Sequence, residues 1–157
     1  MKRLAVLLAV IAGCVAAATA LASSGALVGT RHTSLGTVLV NARGRTLYDL
    51  QGDSAKHLTC TGGCLSSWIP LSGPASATGS AKAADLGQAK RGSSTQVTYA
   101  GHPLYTFVGD TLAGDVSGEG IETAGKKWYA VSPSGAAMIT TTKGSSTSTA
   151  GGGSAGW

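Results

Sequence analysis

The chain repeats itself, and this limits its fold more than any other feature. Residues 44–53 read Gly-Arg-Thr-Leu-Tyr-Asp-Leu-Gln-Gly-Asp, and residues 101–110 read Gly-His-Pro-Leu-Tyr-Thr-Phe-Val-Gly-Asp, an offset of 57. Gly44/Gly101, Leu47/Leu104, Tyr48/Tyr105, Gly52/Gly109 and Asp53/Asp110 are identical, and Val40/Val97 match on the approach. Downstream, Gly63 falls on Gly120, and with three residues inserted Trp68 falls on Trp128. Matching glycines are common by chance in a chain with 24 of them; Leu-Tyr and Gly-Asp in one register are not. Self-similarity of this kind marks one supersecondary unit used twice. Isolated hairpins are marginal, and two copies can cover each other's apolar faces.

Each copy reads as β structure. Thr37–Asn41 is short and β-branched, Asn41–Gly44 is a turn signal, and Arg45–Leu50 resumes extended chain. Copy two runs Thr95–Tyr99, turns at Ala100-Gly101, and continues from Pro103 to Val108. Pro103 is tolerable as the first residue of a strand. Lys126–Val131 gives a third extended run, whose counterpart at Trp68–Leu71 is interrupted by Pro70; Cys64–Trp68 suits a short helical turn. The reading is an all-β fold, two tandem pseudo-symmetric repeats packed as one small domain. The expected layout is a linker at 23–33, repeat one at 34–71, a Gly/Ser/Ala/Pro-rich linker or long loop at 72–94, repeat two at 95–135, and a low-complexity tail at 136–157. Residues 144–156 hold only Ser, Thr, Gly and Ala, too little apolar surface to offset ordering entropy, so the tail is expected to be disordered.

Residues 1–22 read as an export signal: Met1-Lys2-Arg3, then an uncharged stretch from Leu4 to Ala22. Two processing points compete. Ile11-Ala12-Gly13-Cys14 resembles a lipidation box with Cys14 as the modified residue, and Ala20-Leu21-Ala22 suits cleavage before Ser23. Without Lys2 and Arg3 the formal charge falls from +5 to +3, and the remaining cations are scattered. That is no footprint for nucleic acid. The expected surroundings are the cell envelope or a membrane surface, with a ligand or protein partner that the residues do not name.

Tyr48-Asp49-Leu50-Gln51-Gly52-Asp53 and Tyr105-Thr106-Phe107-Val108-Gly109-Asp110 resemble the Tyr-x-aromatic-x-x-Asp motif of a bacterial family of predicted lipoproteins, the secreted repeats of unknown function. Cys60–Cys64 before Trp68-Ile69-Pro70-Leu71, Gln96–Tyr105 and Trp128–Gly135 are similar to further segments of that family. The resemblance spans about residues 34–135. It departs at Leu50, where the family has an aromatic, and at Ile69, where it has Pro. It implies an exported, often lipid-anchored, duplicated domain, and no settled activity.

The residues leave few groups for catalysis. Charged residues are 12% of the chain, and no nucleophile, metalloprotease or phosphate-loop pattern occurs. Cys60 and Cys64, with Gly62-Gly63 between them, suit a small disulfide loop in an oxidising compartment. A redox dithiol is an alternative. A metal site is another, because His57 lies three residues before Cys60 and could add a nitrogen ligand to two sulfurs. Tyr48, Tyr105, Asp53 and Asp110, with Phe107, Trp68 and Trp128, form the motif set, either structural or lining paired binding sites. Asp110, Asp115, Glu119 and Glu122 make an acidic loop in copy two alone, which is solvated or holds a cation. His32 and His102 read as ordinary surface. No cofactor is expected beyond a possible metal ion. The function expected is a non-catalytic binding or interaction module, with a metal- or redox-linked envelope protein as the alternative.

Overall fold

The computed structural model describes residues 25–138. The leader reading of 1–22 with Cys14, and the tail beyond Met138, lie outside the described residues. Eleven strands make up the described chain: β1 Ala26–Thr33, β2 Gly36–Val40, β3 Tyr48–Leu50, β4 Trp68–Pro70, β5 Ala75–Ala77, β6 Leu86–Arg91, β7 Ser94–Tyr99, β8 His102–Pro103, β9 Tyr105–Phe107, β10 Glu122–Thr123 and β11 Lys126–Ala130. Two short 3-10 turns, Gly62–Ser66 and Ala83–Asp85, are its helical parts. The protein is all-β, as its repeat and turn pattern predict.

The central sheet runs β10-β11-β3-β9-β4. Its middle pair is β3 with β9, antiparallel, with Tyr48 opposite Tyr105. On one side β11 of copy two pairs with β3 of copy one; on the other β4 of copy one pairs with β9 of copy two. Apart from β10, which adds to β11 alone, the strand order is therefore pseudo-symmetric about the Tyr48–Tyr105 pair, and each copy's Trp strand completes the other copy's sheet.

Backbone bonds at the sheet ends repeat the exchange. Leu39 N–H donates to Val131 O, Val131 N–H to Leu47 O, and Leu47 N–H to Leu39 O. In the other half Val97 N–H donates to Leu71 O, Leu71 N–H to Leu104 O, and Leu104 N–H to Val97 O. Each closed triangle takes two residues from one copy and the third from the other. The triangles also correct the alignment: Val97 corresponds to Leu39, not Val40. Copy one's hairpin is one residue longer because Asn41–Arg45 closes as a three-residue loop with Gly44 at φ 74°, a bulged turn that favours Gly. Copy two closes with the two residues Ala100 and Gly101.

Successive residues alternate between two buried clusters, as a strand pleat requires. Tyr48, Leu50, Trp68, Tyr105, Trp128, Ala130, Val38 and Val40 share one cluster. Leu39, Leu47, Leu104, Val131, Val97, Tyr99 and Val28 share the other.

Three expected boundaries are corrected. Residues 26–33, expected within a linker, form β1, which pairs with β2 antiparallel and with β5 parallel. Only Val28 and Gly29 are buried there, so the strand shows little apolar alternation. The 72–94 stretch contains β5, a 3-10 turn and β6; β6 buries only Ala89, which hides its pattern. Ala137 and Met138, placed in the tail, are tied back to Val131 and Ala130. Pro70 does not break its strand, because β4 is an edge strand with no neighbour to require the missing N–H.

Candidate functional site

The motif residues converge at the middle of the central sheet. The Tyr48 hydroxyl donates to Asp110 Oδ2 at 2.8 Å, and the Tyr105 hydroxyl donates to Asp53 Oδ2 at 3.1 Å. Each tyrosine thus binds the aspartate of the other copy. The second oxygen of each aspartate closes its own loop, as expected for Asp after Gly. Asp53 Oδ1 accepts from Thr59 N–H at 3.0 Å and from the Thr59 hydroxyl; Asp110 Oδ1 accepts from Ser117 N–H at 2.9 Å. Burial pushes the Tyr48 phenol far above its ordinary value, and the Asp110 carboxylate adds to the shift. Burial also pushes Tyr105 up to about 12, helped by Asp53 and opposed by Arg91. Both phenols therefore stay protonated donors across physiological pH.

Each hydroxyl also accepts a bond, from a different source in each half. Gly118 N–H reaches Tyr48 Oη at 3.3 Å; a Cβ there would lie 2.8 Å from ring atoms of Tyr48 and Trp68, so only glycine allows this approach. At Tyr105 the donor is Arg91 Nη2 at 2.7 Å. Arg91 also donates from Nε to Gln96 Oε1 at 2.8 Å and from Nη1 to Cys60 O at 2.9 Å. Arg91 and the buried Gln96 went unnoticed as site residues because they have no counterparts in copy one.

Trp68 and Trp128, from β4 and β11 on either side of the β3–β9 pair, stack over this centre with ring centroids 3.8 Å apart and planes 8° from parallel. Tyr48 sets its edge against Trp68 and Tyr105 its edge against Trp128. Phe107 lies against Trp68 at 4.6 Å. Six of the seven motif residues are buried, Phe107 being the exception. They form a packed framework, and Trp68 also borders one of the hollows beside it.

The accessible hollows lie beside it. The Cys60–Cys64 disulfide is formed, as the spacing predicts. On one side of Cys64 a cavity of about 350 Å³ is walled by Trp68, Phe107, Ile121 and Thr123. On the other a cavity of about 300 Å³ is walled by Leu50, Cys60, Thr59, Thr61 and Lys126, and shares Cys64 and Thr123 with the first.

The family described as secreted repeat of unknown function matches the chain twice, over residues 29–72 and 88–132, more than half of its length. The chain belongs to this family. Both matches begin earlier than the expected repeats, taking in most of β1 and β6 and agreeing with the strands seen there. No curated protein and no solved structure matches significantly. The family description places this secreted repeat outside the cytoplasm, and among the described residues no helix is long and apolar enough to cross a membrane.

The expected metal ligands are not brought together in this secreted repeat. Cys60 and Cys64 are bonded to each other and present no thiolates, and His57 is exposed. In the acidic loop three carboxylates are committed separately. Asp110 serves Tyr48 and Ser117, Asp115 Oδ2 accepts from Thr111 and Leu112 N–H at 2.8 and 2.7 Å, and Glu119 Oε2 accepts from Ala130 N–H at 2.8 Å. Glu122 is exposed on β10. Among the described residues no three His, Cys, Asp or Glu side chains converge as a metal site.

His102 is not ordinary surface. Its Nδ1 lies 3.2 Å from Asp49 Oδ2, and Asp49 is 6% exposed with Oδ1 unpartnered. Burial pushes the Asp49 carboxyl up, and His102 opposes the shift. The contact joins β3 of copy one to the hairpin of copy two, a pairing that sequence spacing does not disclose.

Proposed function

We propose that this secreted repeat is a non-catalytic binding module of the cell envelope, and that its ligand-facing surface is the groove on both sides of Cys64. The observation that carries this reading is the split between framework and groove. Trp68, Tyr48, Tyr105, Trp128, Asp53 and Asp110 are consumed by mutual packing and hydrogen bonds, while the hollows beside them stay open. Concave, mostly apolar sites with a few placed polar groups are the usual form of small-ligand sites. Trp68, Phe107 and Ile121 suit an aromatic or aliphatic body; the Lys126 ammonium and the hydroxyls of Thr61 and Thr123 suit an acidic group. The +3 charge left after the leader favours an anionic envelope as its surroundings.

Titration with anilinonaphthalene sulfonate, an aromatic anion, tests the reading. The folded protein is expected to bind one equivalent saturably, and Lys126→Ala and Ile121→Asp are each expected to weaken binding. Absence of saturable binding, or binding that neither change alters, overturns the groove as the site.

A further inference from the structure

We propose that the Cys60–Cys64 disulfide is an exchange site for thiols, with Cys64 as the sulfur attacked and Cys60 as the sulfur that leaves. The two cysteines sit in unlike surroundings. Cys64 is part-exposed and lines both cavities; Cys60 is 1% exposed and lines one. The segment carrying Cys64, the Gly62–Ser66 turn, contributes no buried residue, and open space surrounds the Cβ positions of Gly62 and Gly63. A thiol therefore reaches Cys64 without unfolding the sheet, and the turn has room to move once released.

Cys60 is held instead. Its carbonyl accepts from Arg91 Nη1 at 2.9 Å, and Arg91 is fixed in turn by Gln96 and Tyr105. Lys126 lines the same cavity as Cys60, its ammonium 3.3 Å from the Thr59 hydroxyl. Lys126 shares that cavity with both sulfurs, so its charge favours a thiolate on whichever one is released. Exchange runs fastest when the departing thiol has the lower pKa. In the step, an incoming thiolate forms a bond to Cys64 Sγ, the Cys60–Cys64 bond breaks, and Cys60 leaves with the electron pair as a thiolate. The product is a mixed disulfide on Cys64. No net oxidant is needed, and a second thiol releases the adduct and leaves the dithiol. The partner class is a thiol carried by a small peptide or metabolite. The assignment goes beyond the binding role and does not depend on it, because the readout is which sulfur is bonded rather than affinity for the groove.

The test uses the native protein and reduced glutathione, followed by alkylation with iodoacetamide and peptide mapping. Glutathione is expected on Cys64 and the alkyl group on Cys60. Lys126→Met is expected to slow the reaction, because loss of the ammonium raises the pKa of the departing thiol, and Lys126→Arg to keep most of the parent rate. Glutathione on Cys60, or reaction only at the rate of global unfolding, overturns the proposal. A Lys126→Met protein that is folded by circular dichroism and reacts as fast as the parent overturns the part given to Lys126.

Discussion

The Tyr48 hydroxyl donates to the Asp110 carboxylate across 62 positions of sequence, and Tyr105 returns the bond to Asp53 across 52. The repeated motif is thus a lock between copies, not within one. Both ends are buried, so an unmade bond leaves a polar group without its partner at a cost of about 1–3 kcal/mol. Tyr48→Phe and Asp110→Asn are each expected to destabilise by about that much. Asn puts a donor where Asp110 now only accepts. In double-mutant cycles followed by urea unfolding, Tyr48 with Asp110 should couple by about 1 kcal/mol, as should Tyr105 with Asp53. Tyr48 with Asp53, which share no hydrogen bond, should couple by less; equal coupling would contradict the crossed arrangement.

The exchanged strands make each copy incomplete. Val131 closes the triangle of Leu39 and Leu47, and Leu71 closes that of Val97 and Leu104. A fragment of residues 25–80 is expected to lack stable β structure, and so is one of residues 81–138. Mixed, they should recover the circular dichroism of the intact chain. A fragment that folds alone to a cooperative thermal transition would show that the copies are separable domains.

The duplication, the strand class and the disulfide were legible because they rest on residue identity: Leu-Tyr and Gly-Asp in one register, β-branched runs, and two cysteines in a short Gly-rich loop. The pairing of the copies was not. Sequence offset aligns Tyr48 with Tyr105 but is silent on which aspartate either one meets, since Asp53 and Asp110 are each five residues beyond a tyrosine. The strands β1 and β6 were hidden because each buries so little that no alternation shows. Arg91 and His102 were hidden because their partners, Tyr105 with Cys60 and Asp49, are fixed by the fold and not by spacing.

The stacked indoles give a direct optical test. Trp68 and Trp128 lie 3.8 Å apart and nearly parallel, close enough for their transitions to couple. The far-ultraviolet circular dichroism should show a coupled pair of indole bands that Trp68→Phe and Trp128→Phe each abolish. Trp128→Ala should cost about 3–5 kcal/mol, since the ring is fully buried and its Nε1 donates to Thr123 at 3.0 Å. Bands that survive either Phe substitution would place the two rings apart in solution.

Buried carboxyls set the expected response to acid. Burial pushes Asp110 up against the bonds from Tyr48 and Ser117, and pushes Glu119 up against the bond from Ala130 N–H. Asp49 is raised by burial, with His102 opposing and Asp53 nearby adding to it. Glu119 Oε1 and Asp49 Oδ1 are both buried without a hydrogen-bond partner. Between the ordinary carboxylate range of about 4 and the raised values, the folded chain holds more protons than the unfolded chain. Stability contributed by these groups is therefore present at the acid end of that window and is lost as pH rises through it. The melting temperature is expected to fall as pH rises through that window. Glu119→Gln keeps an acceptor for Ala130 N–H and removes the charge, so it should flatten that slope and stabilise the protein at the higher pH. A melting temperature that climbs as pH rises through that window in the parent, or a slope that Glu119→Gln leaves unchanged, would show that these carboxyls reach solvent more freely than the fold allows.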